Sequence, residues 1–405
     1  MARSIITIDL NNSFVWLALL FVMAVSLSTL MPMIINGSDG YMGANADSGR
    51  YFPIRLSALH LLQWVYIFIG VIFSIFVIGY LNTVLKIELM LRVLLISAGI
   101  ACIIGLIEIA AFYLGFDYQI GLYHTVPTSE GAEKGVRIDG LLNIPRINSV
   151  SYETSNFAQH MIVIYAFIYY CRSKNVIIFS RFKDRSLAML ILIALLGSLS
   201  STALFGLVII FALNWATTSW TLKRFFRVSL GLPFLVAVLY LGYIQVEFVT
   251  RIIDTFVLNK FSSGSVYSRF SVVVNAFELF LRHPAIGVGF GVQPASDLVV
   301  MLLSGVGVFG FTVFLLLVLV IIYRGYHRPL TNAGPAMKDL NGDALSRIVI
   351  ITNALTFSFV ILLIIYQATG FAFRFGDFWG LSALVVSSYL VRDRAMIQFR
   401  AKLRG

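Results

Sequence analysis

FVWLALLFVMAVSLSTLMPMII runs from Phe14 to Ile35 without one ionisable side chain. A helix rising 1.5 Å per residue needs about 20 such residues to cross the hydrocarbon core of a bilayer. The stretch is therefore read as a membrane span. It is long for the apolar segment of a secretory signal, and no small-residue cleavage site follows it, so a retained first span is expected. The rest of the chain has the same character. Of 405 residues, 59% are hydrophobic and 12% are charged, and the mean hydropathy is +0.90. A soluble domain carries about 25% charged residues. Apolar runs recur at residues 57–81, 91–114, 157–170, 186–199, 202–220, 228–246, 298–323, 348–370 and 378–391. The expectation is an all-α, polytopic integral membrane protein with about ten transmembrane helices, one membrane domain over residues 1–405. Only Ser198, Ser200 and Ser201 break the run between the fifth and sixth spans, which are read as a hairpin.

The net charge of +11 does not point to nucleic acid, because the basic residues sit in short clusters between apolar runs. That is the positive-inside pattern. With the N-terminus in the cytoplasm, most of the 30 lysines and arginines fall on the cytoplasmic side, including Arg172, Lys174, Arg181, Lys183 and Arg185. Both termini are then cytoplasmic. Two long loops, residues 115–156 and 247–297, face the other way and are expected to carry function, as loops on a rigid scaffold do. The two cysteines, Cys102 and Cys171, lie in or at the end of apolar runs and suggest neither a disulfide framework nor a metal site.

The second loop holds SRFSVVVNAFELFLRHPAIGVGFG, Ser268 to Gly291. It is too polar for a span and too apolar for an ordinary loop. Residues 266–281 read as an amphipathic helix bounded by Gly264 and Pro284, suited to lying on a membrane surface. Arg269 and His283 would stand about 21 Å apart along such a helix. They cannot grip one atom; they can address two parts of one long ligand, or Arg269 can simply snorkel. Gly287, Gly289 and Gly291 allow tight turns and close backbone approach. Without a preceding strand and a following helix they are no dinucleotide fingerprint. His283 has no metal-ligand spacing around it.

In the first loop, Arg137, Arg146, Glu153 and His160 lie near the start of the fourth span. Arg146 and Glu153 would share a helix face about 10 Å apart. Thr154, Ser155 and Asn156 suit the cap of a helix beginning at Phe157, and a helix N-terminus opening outward binds anions. Solvation of the loop and simple capping explain the same residues. Glu108, late in the third span, is an ionisable group at membrane depth, where function is the default reading; structural pairing with an arginine near the outer surface accounts for it too. Few other intramembrane charges and no paired broken spans argue against a transporter.

These two loops, in this order, resemble the O-antigen polymerase and O-antigen ligase superfamily of bacterial envelope enzymes. Arg146 to Ala158 resembles the family's Arg, then Glu-Pro-Ser, then Phe-Ala at the start of a span, with Thr154 in place of the proline. Ser268-Arg269, an amphipathic helix, His283-Pro284 and the glycine run resemble the second-loop pattern, followed by Gly-Val-x-Gly-Phe at Gly307 to Phe311. The resemblance implies a helical bundle of GT-C type in the bacterial inner membrane. It implies transfer of a glycan from undecaprenyl pyrophosphate to a sugar hydroxyl at the periplasmic face, with no cofactor and no metal. Arg146 and Arg269 would hold the pyrophosphate, supported by Arg137, Arg251 or Arg282, with Ser155, Gly287 and Gly289 lining the substrate. Glu153 or His283 would take the hydroxyl proton. The Glu153 element favours a polymerase of O-antigen, capsule or exopolysaccharide repeat units; His283 keeps open a ligase acting on lipid A–core. Expected partners are the lipid-linked oligosaccharide, membrane lipid, a flippase and a chain-length regulator.

Overall fold

The structure is a computed structural model that describes residues 12–42, 51–116, 146–151, 154–217, 245, 250, 264–291, 297–326, 340–369 and 376–402. Side chains at 42, 264–269, 340–343, 400 and 402 lie outside the description. Ten helices are described: α1 (Ser13–Ile35), α2 (Ala58–Tyr80), α3 (Val84–Tyr113), α4 (Thr154–Ser173), α5 (Arg181–Gly197), α6 (Ser201–Thr217), α7 (Gly264–Arg282), α8 (Leu298–Gly325), α9 (Leu340–Thr369) and α10 (Asp377–Lys402). A two-stranded antiparallel hairpin, β1 (Gly40–Met42) and β2 (Tyr51–Pro53), joins α1 to α2. Apart from this short hairpin the described elements are helices, as an all-α protein requires.

Five helices are long and apolar enough to cross a membrane: α1, α2, α3, α8 and the Ala344–Thr369 part of α9. The chain is thus a multi-pass membrane protein. The expected spans at 157–170, 186–199, 202–220 and 378–391 overlap α4, α5, α6 and α10; the one at 228–246 lies outside the described residues except for residue 245. The serine break does separate two helices, with Leu199 in the left-handed region at φ 45°.

Burial separates centre from rim. The most apolar window of α9 is 72% buried, against 28% in α2 and 33% in α3. α2 and α3 therefore present broad apolar faces outward, whereas α9 packs between α4 and α10. A central helix does not need an apolar residue at every position. Thr352, Thr356 and Ser387 are buried, and each hydroxyl donates to the carbonyl one turn back, at 2.7–2.8 Å. Small residues also let helices approach closely; at Gly70 the space of a Cβ is filled by the Trp379 ring.

One end of the bundle is tied by basic side chains. Arg347 Nε donates to Glu88 Oε1 at 2.5 Å, joining α9 to α3. Arg392 of α10 donates to the Arg324 and Gly325 carbonyls in the last turn of α8, at 2.7 and 3.2 Å. Lys86 in the first turn of α3, Arg172 in the last turn of α4 and Lys174 just after it belong to the same end.

Toward the other end, α8 is broken. Gly307 has φ 66° and ψ −173°, so the helix stops and restarts there. The span expected at 298–323 is present as α8, with this break inside it. The loop after α7 fills the gap. Val288 and Gly289 N–H donate to the Ser304 and Gly305 carbonyls at 2.8 and 3.2 Å, and Ser28 Oγ also donates to Gly305 O. Beyond the break, Val308 and Phe309 N–H donate to the Pro284 and Ala285 carbonyls at 2.8 and 3.3 Å. Irregular backbone at membrane depth is tolerated where protein pairs it, as here.

Candidate functional site

α7 covers the expected amphipathic helix and has three stripes. Val272, Ala276 and Leu279 are buried. Phe270, Val274, Phe277 and Leu281 are exposed at spacings of four, three and four. Ser271, Asn275, Glu278 and Arg282 form a polar stripe at the same period. Arg269 lies on this helix, with its side chain outside the description. Pro284 follows the helix and cannot continue it, lacking the N–H; His283 N–H makes the last helical bond, to Leu279 O at 3.0 Å.

The polar end of α7 meets a residue from the far end of the sequence. α1 ends at Asn36 and Gly37, both left-handed, at φ 43° and 87°. That reversal aims Ser38 and Asp39 back over α7, and two backbone bonds pin it: Gly37 N–H to Ile54 O at 2.8 Å and Ile54 N–H to Asp39 O at 2.9 Å. Arg282 Nη1 donates to Asp39 Oδ1 at 2.7 Å. His283 Nε2 lies 2.7 Å from Asp39 Oδ2. The hydrogen bond from His283 first, and that from Arg282 second, hold the Asp39 carboxyl below the usual carboxylate range. A carboxylate that orients one imidazole nitrogen leaves the other, here Nδ1, for proton transfer. Sequence reasoning missed Asp39. It sits in a short Ser-Asp-Gly turn, and nothing local links it to a histidine 244 positions later.

The glycine run behind His283 is built for close packing. Gly287, Gly289 and Gly291 have φ 77°, 109° and 88°. A Cβ on Gly287 would lie 2.6 Å from the Gly305 backbone, and one on Gly289 would lie 2.8 Å from Pro32 Cγ and 2.9 Å from His60 Cδ2. At both, the face a side chain would occupy is taken by protein.

The first-loop residues gather at a different place. Arg146 Nε donates to Ser198 O at 3.3 Å, at the break between α5 and α6. Ile147, fully buried, packs against Gly105 and Gly197. Asn148 and Ser149 N–H both donate to Glu108 Oε2, at 3.2 and 2.9 Å. Glu108 thus caps the backbone of residues 148 and 149. α4 starts at Thr154 rather than Phe157, so Ser155 is in its first turn and not ahead of it. One turn further, His160 Nδ1 pairs with Asp377 Oδ2 at 2.5 Å, joining α4 to α10. Arg137, Glu153 and Arg251 lie outside the described residues.

Chemically, the end of α7 offers an imidazole held by a carboxylate, with Arg282 on the same carboxylate. Among the described residues no group of three His, Cys, Asp or Glu is placed to hold a metal ion. Comparison with protein-family models, with curated proteins and with solved structures finds no match to the chain.

Proposed function

We propose that the chain is a polysaccharide polymerase of the bacterial inner membrane, a bundle of GT-C type. It transfers a glycan from undecaprenyl pyrophosphate to a sugar hydroxyl of another lipid-linked repeat unit of O-antigen, capsule or exopolysaccharide. The observation that carries this reading is the Asp39–His283 pair, with Arg282 beside it, at the end of an amphipathic helix that also bears Arg269. The basic end of the bundle is placed in the cytoplasm, by the positive-inside rule. The Asp39–His283 end then faces the periplasm, where the donor's pyrophosphate lies at the membrane surface.

In this mechanism the acceptor hydroxyl gives its proton to a base as its oxygen attacks the anomeric carbon. His283 Nδ1, oriented through Nε2 by Asp39, serves as that base, with Glu153 as the other candidate. The bond from the anomeric carbon to the pyrophosphate oxygen breaks, and undecaprenyl pyrophosphate leaves with the electron pair. Arg269 and Arg146, supported by Arg137 and Arg251, stabilise the charge that grows on the leaving oxygen, as bidentate guanidinium groups do for phosphate. No metal is needed in this scheme. Arg282 is held by Asp39, so its part is to position the dyad. A flippase and a chain-length regulator are the expected partners.

The same His283 geometry favours one second reading, a ligase that moves finished glycan to lipid A–core. A deletion strain separates the two on gels. Lipid A–core carrying a single repeat identifies a polymerase. Bare core, with polymer left on its lipid carrier, identifies a ligase. Unchanged lipopolysaccharide and extracellular polysaccharide would overturn both. Complementation with Arg269→Ala is expected to give no polymer while the protein accumulates normally. Glu153→Gln and His283→Ala, compared separately, assign the base to the one whose change abolishes polymer.

A further inference from the structure

Between the β1–β2 hairpin and the polar stripe of α7 lies a cavity of about 210 Å³, lined among others by Asp39, Tyr51, Asn275, Glu278 and Arg282. Pockets for drug-sized ligands run about 300–1,000 Å³, so this one suits a single small ring. Its charge is informative. Two carboxylates face one guanidinium, and that guanidinium already donates to Asp39. A phosphate would be repelled. A bare divalent cation would find Asp39 already occupied by Arg282 and His283, leaving Glu278 as its one carboxylate ligand, whereas hard cations take six or more oxygens.

A ring bearing several hydroxyls fits better, because it needs donors and acceptors side by side. Glu278, exposed on the lip, accepts from hydroxyls. Arg282 has five N–H donors, of which Asp39 engages Nη1. Asn275, buried in the flank of α7, lines the cavity wall. Tyr51 is 60% exposed and offers an aromatic face with a polar tip. We propose that this cavity binds one neutral pyranose ring of the acceptor glycan, separate from the arginines that hold the pyrophosphate, and so presents its hydroxyl near the Asp39–His283 pair. The assignment rests on the transferase reading above for the word acceptor, but the binding itself is testable alone.

The test is saturation-transfer NMR on the full chain in nanodiscs, with neutral methyl pyranosides of glucose, galactose, mannose and N-acetylglucosamine as probes. At least one should bind. Its affinity should fall roughly tenfold in Glu278→Ala, the expected loss for one charge-assisted hydrogen bond, and similarly in Tyr51→Ala. Tyr51→Phe should retain binding, and Phe270→Ala, on the opposite stripe, should leave it unchanged. Inorganic pyrophosphate should not displace the sugar. Absence of any pyranoside signal, binding that survives both alanine changes, or displacement by pyrophosphate would overturn the proposal. Sugar binding with unchanged glycans in the deletion strain would sink the transferase reading and leave the cavity assigned. Lost polymer without sugar binding would do the reverse.

Discussion

Asp39 shows how much one side chain can depend on distant sequence. Its carboxylate joins the turn after α1 to the end of α7 through two bonds of 2.7 Å. Hydrogen bonds to charged groups contribute about 1.5–3 kcal/mol, and the value here should sit low in that range because Arg282 is 60% exposed. The carboxyl is held below its ordinary value of 3.8, so the sign follows. The clasp is fully present above that ordinary value and is lost as pH falls through the lower folded value. Asp39→Asn is therefore expected to melt earlier than the parent protein at pH 7, with the gap closing at an acid pH below the lowered folded value, where the carboxyl is protonated. Thermal melts of detergent-purified protein at both pH values check this; a gap that persists unchanged in acid would refute it. His283 was legible in the sequence as a candidate base. Its partner was not, because a contact between residues 39 and 283 exists only once α1, α7 and the hairpin have packed.

At the level of elements, the segment 146–151 and the break in α8 obey one rule: glycine makes room for backbone brought from elsewhere. Ile147 fills the space over Gly105, where a Cβ would overlap its side chain, and lies against Gly197, where the distance would be 2.9 Å. Gly105→Ala should thus push the segment off Glu108 and lower the melting temperature. Ile147→Ala alone should cost about 2–5 kcal/mol of packing. Combined, the two changes should cost less than their sum, since the second removes the clash made by the first; strict additivity would show that Ile147 is not seated there. The first-loop motif was readable, with Arg146 close to the end of a span. That Arg146 reaches the Ser198 carbonyl was not, because the serine break reads locally as a turn and no more. Likewise the Gly-Val-x-Gly-Phe run at Gly307 to Phe311 permits a positive φ without demanding one. The demand comes from residues 284–289, whose N–H and C=O groups need partners inside the bundle.

For the molecule as a whole, the two ends of the bundle differ in chemistry, and the difference makes a testable topology. Cys102 and Cys171 are both buried and free, so background labelling should be low. Cysteine placed at Tyr51 or Glu278 should react with an impermeant maleimide added to spheroplasts. Cysteine at Lys174 or Arg394 should react only after the membrane is permeabilised. The opposite pattern would reverse the orientation and remove the proposed site from the periplasm. The sequence by itself determined that this is a multi-pass helical membrane protein, where its five long apolar helices lie, and which end is basic. Those properties follow from transfer of apolar side chains out of water and from local charge, which each segment carries alone. Only the tertiary structure decided that α8 is broken, that Glu108 caps backbone, and that Asp39 meets His283 beside a cavity on α7. These depend on unpaired polar groups finding partners across the bundle, and hydropathy and short-range spacing do not encode which partner that is.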